Sequence, residues 1–438
     1  MAGKSILKEN GVNYLIPFLL ITCCFALWGF ANDITNPMVK AFSKIFRMSV
    51  TQGALTQVAF YGGYFAMALP AAMFIRRFSY KSGILVGLGL YAAGAFLFLG
   101  ARQTGSYYPF LAAYFILTCG LSFLETSANP YILSMGSPET ATRRLNLAQS
   151  FNPIGSLLGM FVAMNFIQAR INPMDSAGRA TLSDAEFEAM KQADLAVLIK
   201  PYVIIGAVIV AMFLLILLVR MPKVKEENSR SLIPALKYLF GIKRYREGVV
   251  AQFFYVGVQI MCWTFIIQYG TRIFMGQGMS EIDAEVLSQR YNIVAMVIFC
   301  VSRFVCTWLM KYFRPSRMLA AFATAGALLT LAVIFIDGIV GLYCLVGVSA
   351  CMSLMFPTIY GITLDGLGDD AKFGAAGLIM AILGGSVLPP LQAMIIDRGT
   401  VLGMPAVNVS FVLPLVCFAV ILVYAIRRTS EAKEALSE

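Results

Sequence analysis

The feature that most constrains this chain is the repetition of apolar stretches long enough to cross a bilayer as helices. A transmembrane helix needs roughly 20 mostly apolar residues. The 438 residues contain twelve such stretches, so the sequence predicts an all-α integral membrane protein with twelve transmembrane helices. We expect the spans near residues 14–36, 54–75, 83–101, 108–133, 145–168, 200–220, 248–270, 289–310, 316–336, 339–364, 373–396 and 407–426.

Composition supports a chain surrounded by lipid. Hydrophobic residues make up 59% of the chain and charged residues 13%, which is too apolar for a water-soluble protein of this length. The net charge of +11 does not indicate a nucleic-acid partner, because Lys and Arg collect in the cytoplasmic loops of membrane proteins. The lipid bilayer is therefore the expected surrounding, and we expect the protein to be a monomer.

One long charged interruption divides the chain into two halves. Residues 221–247 carry a basic excess and read as a cytoplasmic linker between six-helix bundles at 1–220 and 248–438. Segments on the linker side hold roughly twice as many Lys and Arg as the opposite loops, so we expect both termini in the cytoplasm of a bacterial cell, in its inner membrane. In the outer loop before the sixth span, the Ser183-Asp-Ala-Glu run predicts a short surface helix.

Several enzyme classes are excluded by what the sequence lacks. It contains no histidine, no GxSxG motif and no Walker-type loop, and its nine cysteines lie in apolar runs without CxxC spacing. We therefore expect no enzyme activity, no cofactor and no metal site. Any proton chemistry must use carboxylates, because the usual near-neutral proton carrier is missing.

Two acidic residues, Asp33 and Glu125, lie inside spans with apolar residues on both sides. A carboxylate at that depth costs at least about 2.5 kcal/mol on insertion scales, so a compensating role is expected. One interpretation is that they bind a coupling ion, H⁺ or Na⁺, and that Glu125 also contacts substrate. A structural interpretation stays open, in which a protonated carboxyl ties two helices together.

Amides share helix faces with these acids. Residues three or four apart lie on one side of a helix. This spacing groups Asn36 with Asp33, with Asn32 beside them, and Asn129 with Glu125, and it places Gln149 and Asn152 on one face of the fifth span. The candidates are Asn32, Asn36, Asn129, Gln149 and Asn152. Paired amides and carboxylates can bracket sugar hydroxyls, so these residues predict a sugar-binding face.

The seventh span adds Tyr255, Gln259 and Trp263 at steps of four. Their aromatic rings can cover the apolar face of a sugar, although interfacial anchoring or packing is an alternative for Tyr255 and Trp263. Arg303, inside the eighth span, can pair with a carboxylate, link helices at an inner gate or extend towards the cytoplasmic face. Asp365, at the turn after the tenth span, is interpreted as a gate or structural charge.

Five motifs make a family resemblance specific. They are Leu27-Trp-Gly-Phe-Ala-Asn-Asp33, Leu124-Glu-Thr-Ser-Ala-Asn-Pro-Tyr131, Arg144-Leu-Asn-Leu-Ala-Gln-Ser-Phe-Asn152, Ala251-Gln-Phe-Phe-Tyr-Val-Gly-Val-Gln259 and Phe356-Pro-Thr-Ile-Tyr360. The chain resembles the major facilitator superfamily and, within it, the L-fucose–proton symporters with their galactose and glucose relatives. The resemblance implies that Glu125 handles sugar and proton, and that Gln149, Asn152, Tyr255, Gln259 and Tyr360 line the sugar cavity.

One departure from that family concerns the first span. The family pattern places an asparagine first and an aspartate three residues later, whereas here Asp33 precedes Asn36. The acid keeps its face but moves by roughly 4.5 Å along the helix. The expected function is import of L-fucose or a related hexose by cation symport, with H⁺ as the first choice. The alternatives are a sodium-coupled glucose/galactose symporter and a proton-coupled drug exporter.

Overall fold

Twelve helices long and apolar enough to cross a membrane occur in the part of the chain that the computed structural model describes, which confirms the predicted fold class. The described residues are 7–9, 12–35, 38–48, 52, 55–174, 178–179, 181–222 and 232–434. Helices satisfy every backbone polar group internally, as a lipid surrounding requires. We label the spans α1 (Leu15–Thr35), α2 (Val58–Arg77), α3 (Tyr80–Thr104), α4 (Tyr108–Ser134), α5 (Pro138–Ile167), α6 (Asp184–Leu218), α7 (Lys243–Gly276), α8 (Asp283–Leu309), α9 (Pro315–Phe335), α10 (Ile339–Leu364), α11 (Ala371–Ile396) and α12 (Ala406–Glu431).

Short elements connect or extend the spans. Helices occur at Met38–Ile45 and Leu232–Gly241, and two-residue strands at Lys8–Glu9, Val12–Asn13, Thr400–Val401 and Met404–Pro405. The last two strands pair antiparallel between α11 and α12. Their turn places Leu402 at φ 53° and Gly403 at φ 75°, the left-handed pair that a two-residue hairpin requires.

The N-terminal unit contains Asn10–Met135 and Phe151–Glu227. Its most enclosed helix is α4, in which every residue from 117 to 132 is buried. Helix α4 packs on α2 and α3, and α1 packs on the second part of α5. A carboxyl group on the middle of α4 is therefore surrounded by protein.

The C-terminal unit contains Gly136–Ser150 and Asn228–Glu438, so the first part of α5 belongs to it. Helix α7 contacts α8, α10, α11 and α12 within this unit. The predicted linker at 221–247 overlaps the Leu232–Gly241 helix and the first turn of α7, while its residues 223–231 lie outside the described part.

Three spans are interrupted within four residues before a proline. Helix α5 is broken at Ser150 and Phe151, before Pro153, α10 at Ser353 and Leu354, before Pro357, and α12 at Phe411, before Pro414. Proline lacks the N–H that would bond the carbonyl four residues earlier, so the helical ladder opens at these points.

The predicted short surface helix beginning at Ser183 is wrong as a separate element. The segment forms the first turns of α6, a continuous helix of 35 residues. Ser183 caps it: its hydroxyl accepts a hydrogen bond from the Glu186 N–H, and the Glu186 carboxylate accepts one from the Ser183 N–H. Pro201 does not end the helix, because neighbouring helices support an interior proline in a span.

Close helix approach in each unit depends on glycine. A Cβ on Gly155 would lie 1.8 Å from the Ala26 carbonyl oxygen of α1, and a Cβ on Gly29 would lie 2.0 Å from the carbonyl oxygen of Asn152. In the C-terminal unit, a Cβ on Gly384 of α11 would lie 2.0 Å from the Phe253 carbonyl oxygen of α7. Small residues at such crossings let two backbones touch.

Candidate functional site

Glu125 lies on the buried middle of α4 and is 1% exposed. Its Oε2 atom has no hydrogen-bond partner within the described part of the chain. The neighbouring polar side chain is Tyr64 of α2, whose hydroxyl lies within electrostatic range of the Glu125 carboxyl. A buried acid with one oxygen unsatisfied can accept a hydrogen bond from a hydroxyl or carry a proton.

Tyr64 also reaches α1, where its hydroxyl lies 3.5 Å from Oδ1 of Asn32. One turn earlier on α2, Tyr61 lies within electrostatic range of Asp33. Asn32 and Asp33 are both half-buried near the end of α1. Tyr64 therefore neighbours both Asn32 of α1 and Glu125 of α4.

A local sequence feature of α2 explains how Tyr64 approaches α4. The residue before it is Gly63, where a Cβ would lie 2.3 Å from Oγ1 of Thr118 and 2.9 Å from the carbonyl oxygen of Phe115. Because only glycine permits this contact, α2 lies against α4 at the level of the tyrosine. The sequence analysis missed Tyr61 and Tyr64, although their three-residue spacing around a glycine pair was a usable signal.

The remaining amides of the N-terminal unit make contacts with backbone. Asn129 donates to the Glu125 carbonyl oxygen at 3.1 Å, and Asn152 donates to the Phe25 carbonyl oxygen of α1 at 3.2 Å. The Asn129 amide therefore stabilises α4 itself, and the Asn152 amide stabilises the contact between α1 and α5. Asn36, the remaining candidate of the first span, lies outside the described residues.

Gln149 and Asn152 were predicted to share one helix face, and the break in α5 falls between them. Gln149 is buried in the C-terminal unit, whereas Asn152 is half-buried in the N-terminal unit. The joint role of the two amides in a sugar site therefore stays a prediction.

In the C-terminal unit, aromatic side chains from α7 and α10 form a buried group. The Tyr255 ring lies 6.1 Å from that of Phe356, which stacks on Tyr360 at 6.2 Å. Tyr255 and Tyr360 are fully buried. One turn before Tyr255, the buried Gln252 amide has neither polar atom hydrogen-bonded within the described chain.

Two turns after Tyr255, the same α7 face is held against neighbouring helices. Trp263 donates from Nε1 to Oγ of Ser349 in α10 at 3.2 Å and packs edge-on against Phe299 of α8 at 5.0 Å. Gln259 is half-buried between Trp263 and Tyr255 along the helix. Trp263 thus has a packing role in this structure, and its contact with sugar stays a prediction.

The two candidate charges differ in their surroundings. Arg303 of α8 is buried and donates hydrogen bonds to the carbonyl oxygens of Ser353 and Gln149. Asp365 is exposed at the turn after α10, where its carbonyl oxygen accepts a hydrogen bond from Arg244. Arg303 is therefore enclosed in the bundle and does not extend to the surface.

Comparison with known proteins agrees with this arrangement. The family model described as Major Facilitator Superfamily matches residues 21–390. The chain is 54% identical to the L-fucose-proton symporter of Haemophilus influenzae, covering 94% of this chain and 96% of that protein. It is 30% identical to the glucose/galactose transporter of Brucella abortus, with 94% of each chain covered.

A solved structure also matches nearly the whole chain. The crystal structure of the Escherichia coli fucose:proton symporter superposes with a TM-score of 0.85 at 34% identity. The match covers 95% of this chain and 99% of that one. Similarity of this extent includes both six-helix halves.

Proposed function

Since the chain belongs to the major facilitator superfamily, and is therefore a transporter and not an enzyme, we propose that it imports L-fucose or a related hexose by cation symport through alternating access. The coupling ion in this proposal is a proton. The observation that carries it is the buried Glu125 carboxyl, whose neighbour Tyr64 also contacts Asn32. The high identity to an L-fucose-proton symporter supports the choice of sugar.

The same residues can serve both proton and sugar. A carboxyl in a low-dielectric interior is less costly as a neutral acid than as an anion. Loading Asp33 or Glu125 with a proton therefore favours the closed, sugar-loaded carrier, and losing that proton inside favours release. Amides and tyrosine hydroxyls next to these acids supply the paired hydrogen bonds that sugar hydroxyls require.

One proton per sugar suffices energetically. A charge moving down 100 mV supplies about 2.3 kcal/mol. Because tenfold in concentration corresponds to about 1.4 kcal/mol, this sustains roughly 50-fold accumulation. No resident cofactor or metal is needed in this scheme.

A second candidate is sodium-coupled transport of glucose or galactose. It is favoured by the similarity to the Brucella abortus glucose/galactose transporter and by the order of Asp33 and Asn36. A carboxylate among amide oxygens can hold Na⁺ as well as a proton. The drug-exporter alternative gains no support from the relatives, which are named as sugar transporters.

The protein is a multi-pass membrane protein. We place it in the bacterial inner membrane as a monomer with both termini in the cytoplasm, on the charge distribution of its loops.

Counterflow in proteoliposomes tests the substrate without any ion gradient. Vesicles preloaded with unlabelled L-fucose should take up labelled L-fucose transiently, and external D-galactose or D-glucose should compete more weakly. Glu125→Gln should reduce this exchange, because the acid contacts the sugar. Absence of L-fucose counterflow by the native protein, with D-glucose counterflow present, would favour the second candidate.

A further inference from the structure

Arg303 carries a buried positive charge that is held by backbone oxygens. Its Nε donates to the carbonyl oxygen of Ser353, and its Nη1 donates to that of Gln149 at 3.0 Å. The guanidinium also lies over the Phe299 ring, 4.6 Å from its centroid. Among the residues that the structure describes, no Asp or Glu forms an ion pair with it.

Both accepting carbonyls precede a proline by four residues. Ser353 is followed by Pro357 in α10, and Gln149 by Pro153 in α5. In a helix each carbonyl accepts from the N–H four residues later, and proline has no N–H. The two carbonyls therefore lack their helical donor, and both helices are interrupted at these residues.

Inside a membrane such carbonyls require another donor. A guanidinium presents five N–H groups in a rigid planar fork, so a single arginine can serve two acceptors that point from different helices. A lysine ammonium is a compact point charge and does not reproduce this fork. The residue type, its burial and its two acceptors thus agree with one role.

We propose that Arg303 is a positioning residue that replaces the hydrogen bonds lost at Pro153 and Pro357 and so fixes both helix breaks. The break in α5 directly follows Gln149, and the break in α10 lies two turns before Tyr360. Arg303 therefore sets the positions of two side chains expected to contact sugar. Only that last step rests on the proposed function; the replacement of the two hydrogen bonds does not.

A double-mutant cycle with the prolines tests this role. Pro153→Ala and Pro357→Ala each restore a helical N–H, which makes the guanidinium redundant at that carbonyl. In the native background, Arg303→Met should lower the unfolding midpoint in detergent by several degrees and raise the Kd for L-fucose at least tenfold. In the background with both prolines replaced, the same change should raise the Kd less than about threefold, with a correspondingly smaller shift in midpoint.

Pro201→Ala provides the matched background, because it restores a helical N–H in α6 at a carbonyl other than the two that accept from Arg303. In the Pro201→Ala background, Arg303→Met should lower the unfolding midpoint and raise the Kd for L-fucose as much as it does in the native background. Arg303→Lys keeps the charge, and it should bind L-fucose weakly alone and more tightly when combined with Pro357→Ala. If the protein with both prolines replaced does not fold, Arg303→Lys alone and Arg303→Lys combined with Pro357→Ala provide the same comparison.

An equal cost of Arg303→Met in all backgrounds, or native affinity in Arg303→Lys alone, would overturn the inference and assign the effect to the charge itself. If the native protein does not bind L-fucose, the proposed function fails, while the cycle in unfolding midpoints still decides the role of Arg303.

Discussion

Tyr64 is the residue that connects the two parts of the N-terminal site. Its hydroxyl lies within electrostatic range of the Glu125 carboxyl and 3.5 Å from Oδ1 of Asn32. Because a hydrogen bond to a charged group contributes about 1.5–3 kcal/mol, this one hydroxyl influences how firmly the ionised Glu125 carboxylate is oriented. Single substitutions at residues such as Tyr64 therefore test the site most directly.

Tyr64→Phe removes only the hydroxyl and should raise the KM for L-fucose about tenfold, since one hydrogen bond of this kind is lost. Tyr108→Phe is the matched control, because Tyr108 is 72% exposed at the start of α4. Initial rates of labelled L-fucose uptake at equal protein levels provide the measurement. A KM that moves equally in both variants would remove Tyr64 from the site.

Asp33→Asn should abolish accumulation against a gradient while leaving L-fucose counterflow, because exchange needs no net movement of the coupling ion. Uptake and counterflow measured on the same vesicles separate the two activities. Asp184→Asn, at the exposed start of α6, should leave both intact. Accumulation by Asp33→Asn would exclude Asp33 as the coupling acid.

Part of the site was predictable because a carboxyl group inside an apolar span is energetically costly and is recognisable in the sequence. A carboxyl inside an apolar span stands out, which identified Asp33 and Glu125. Tyr64 did not stand out, since a tyrosine in a span is ordinary and its partners are set by the packing of three helices. The acceptors of Arg303 are backbone oxygens, which a sequence reveals only through Pro153 and Pro357.

At the scale of elements, the sequence located spans better than it located their ends and interruptions. Hydropathy placed α3 and α4 within a few residues of their observed bounds, because their flanks are polar. It missed the polar beginnings of α5 and α6, where Pro138 and the Ser183 cap start helices well before the apolar run. Hydropathy measures burial in lipid, whereas a helix continues wherever its backbone bonds continue.

Helix contact through glycine leads to a prediction at this scale. Gly155→Ala should lower the unfolding midpoint in detergent and reduce uptake, because a Cβ there would lie 1.8 Å from the Ala26 carbonyl oxygen. Gly89→Ala and Gly100→Ala are matched controls, since a Cβ at either position meets no atom within 4 Å. Equal loss in all three variants would show that helix spacing at Gly155 is not limiting.

At the scale of the whole molecule, the two halves repeat a packing device. The first and fifth helices of the N-terminal half touch through Gly29 and Gly155, and the corresponding α7 and α11 touch through Gly384. In the sequence this repeat is visible only through Gly155 in α5 and Gly384 in α11. Transporters built from such repeats work by movement of one half against the other around a central site.

Membrane orientation is a testable property of the whole molecule. With basic residues concentrated on the linker side, we expect alkaline phosphatase fused after Gly403 to be active outside and a fluorescent protein fused at the C-terminus to fluoresce inside. The hairpin before α12 is exposed and suits the first fusion. The opposite pattern of the two reporters would contradict the proposed orientation.

The measurement that tests proton-coupled sugar import most directly is the pH change caused by sugar itself. L-fucose added to lightly buffered, de-energised right-side-out vesicles containing the native protein should make the external medium more alkaline, because each sugar carries a proton inward. Vesicles containing Asp33→Asn should show no such change. L-fucose uptake that depends on Na⁺ and leaves the external pH constant would contradict the account.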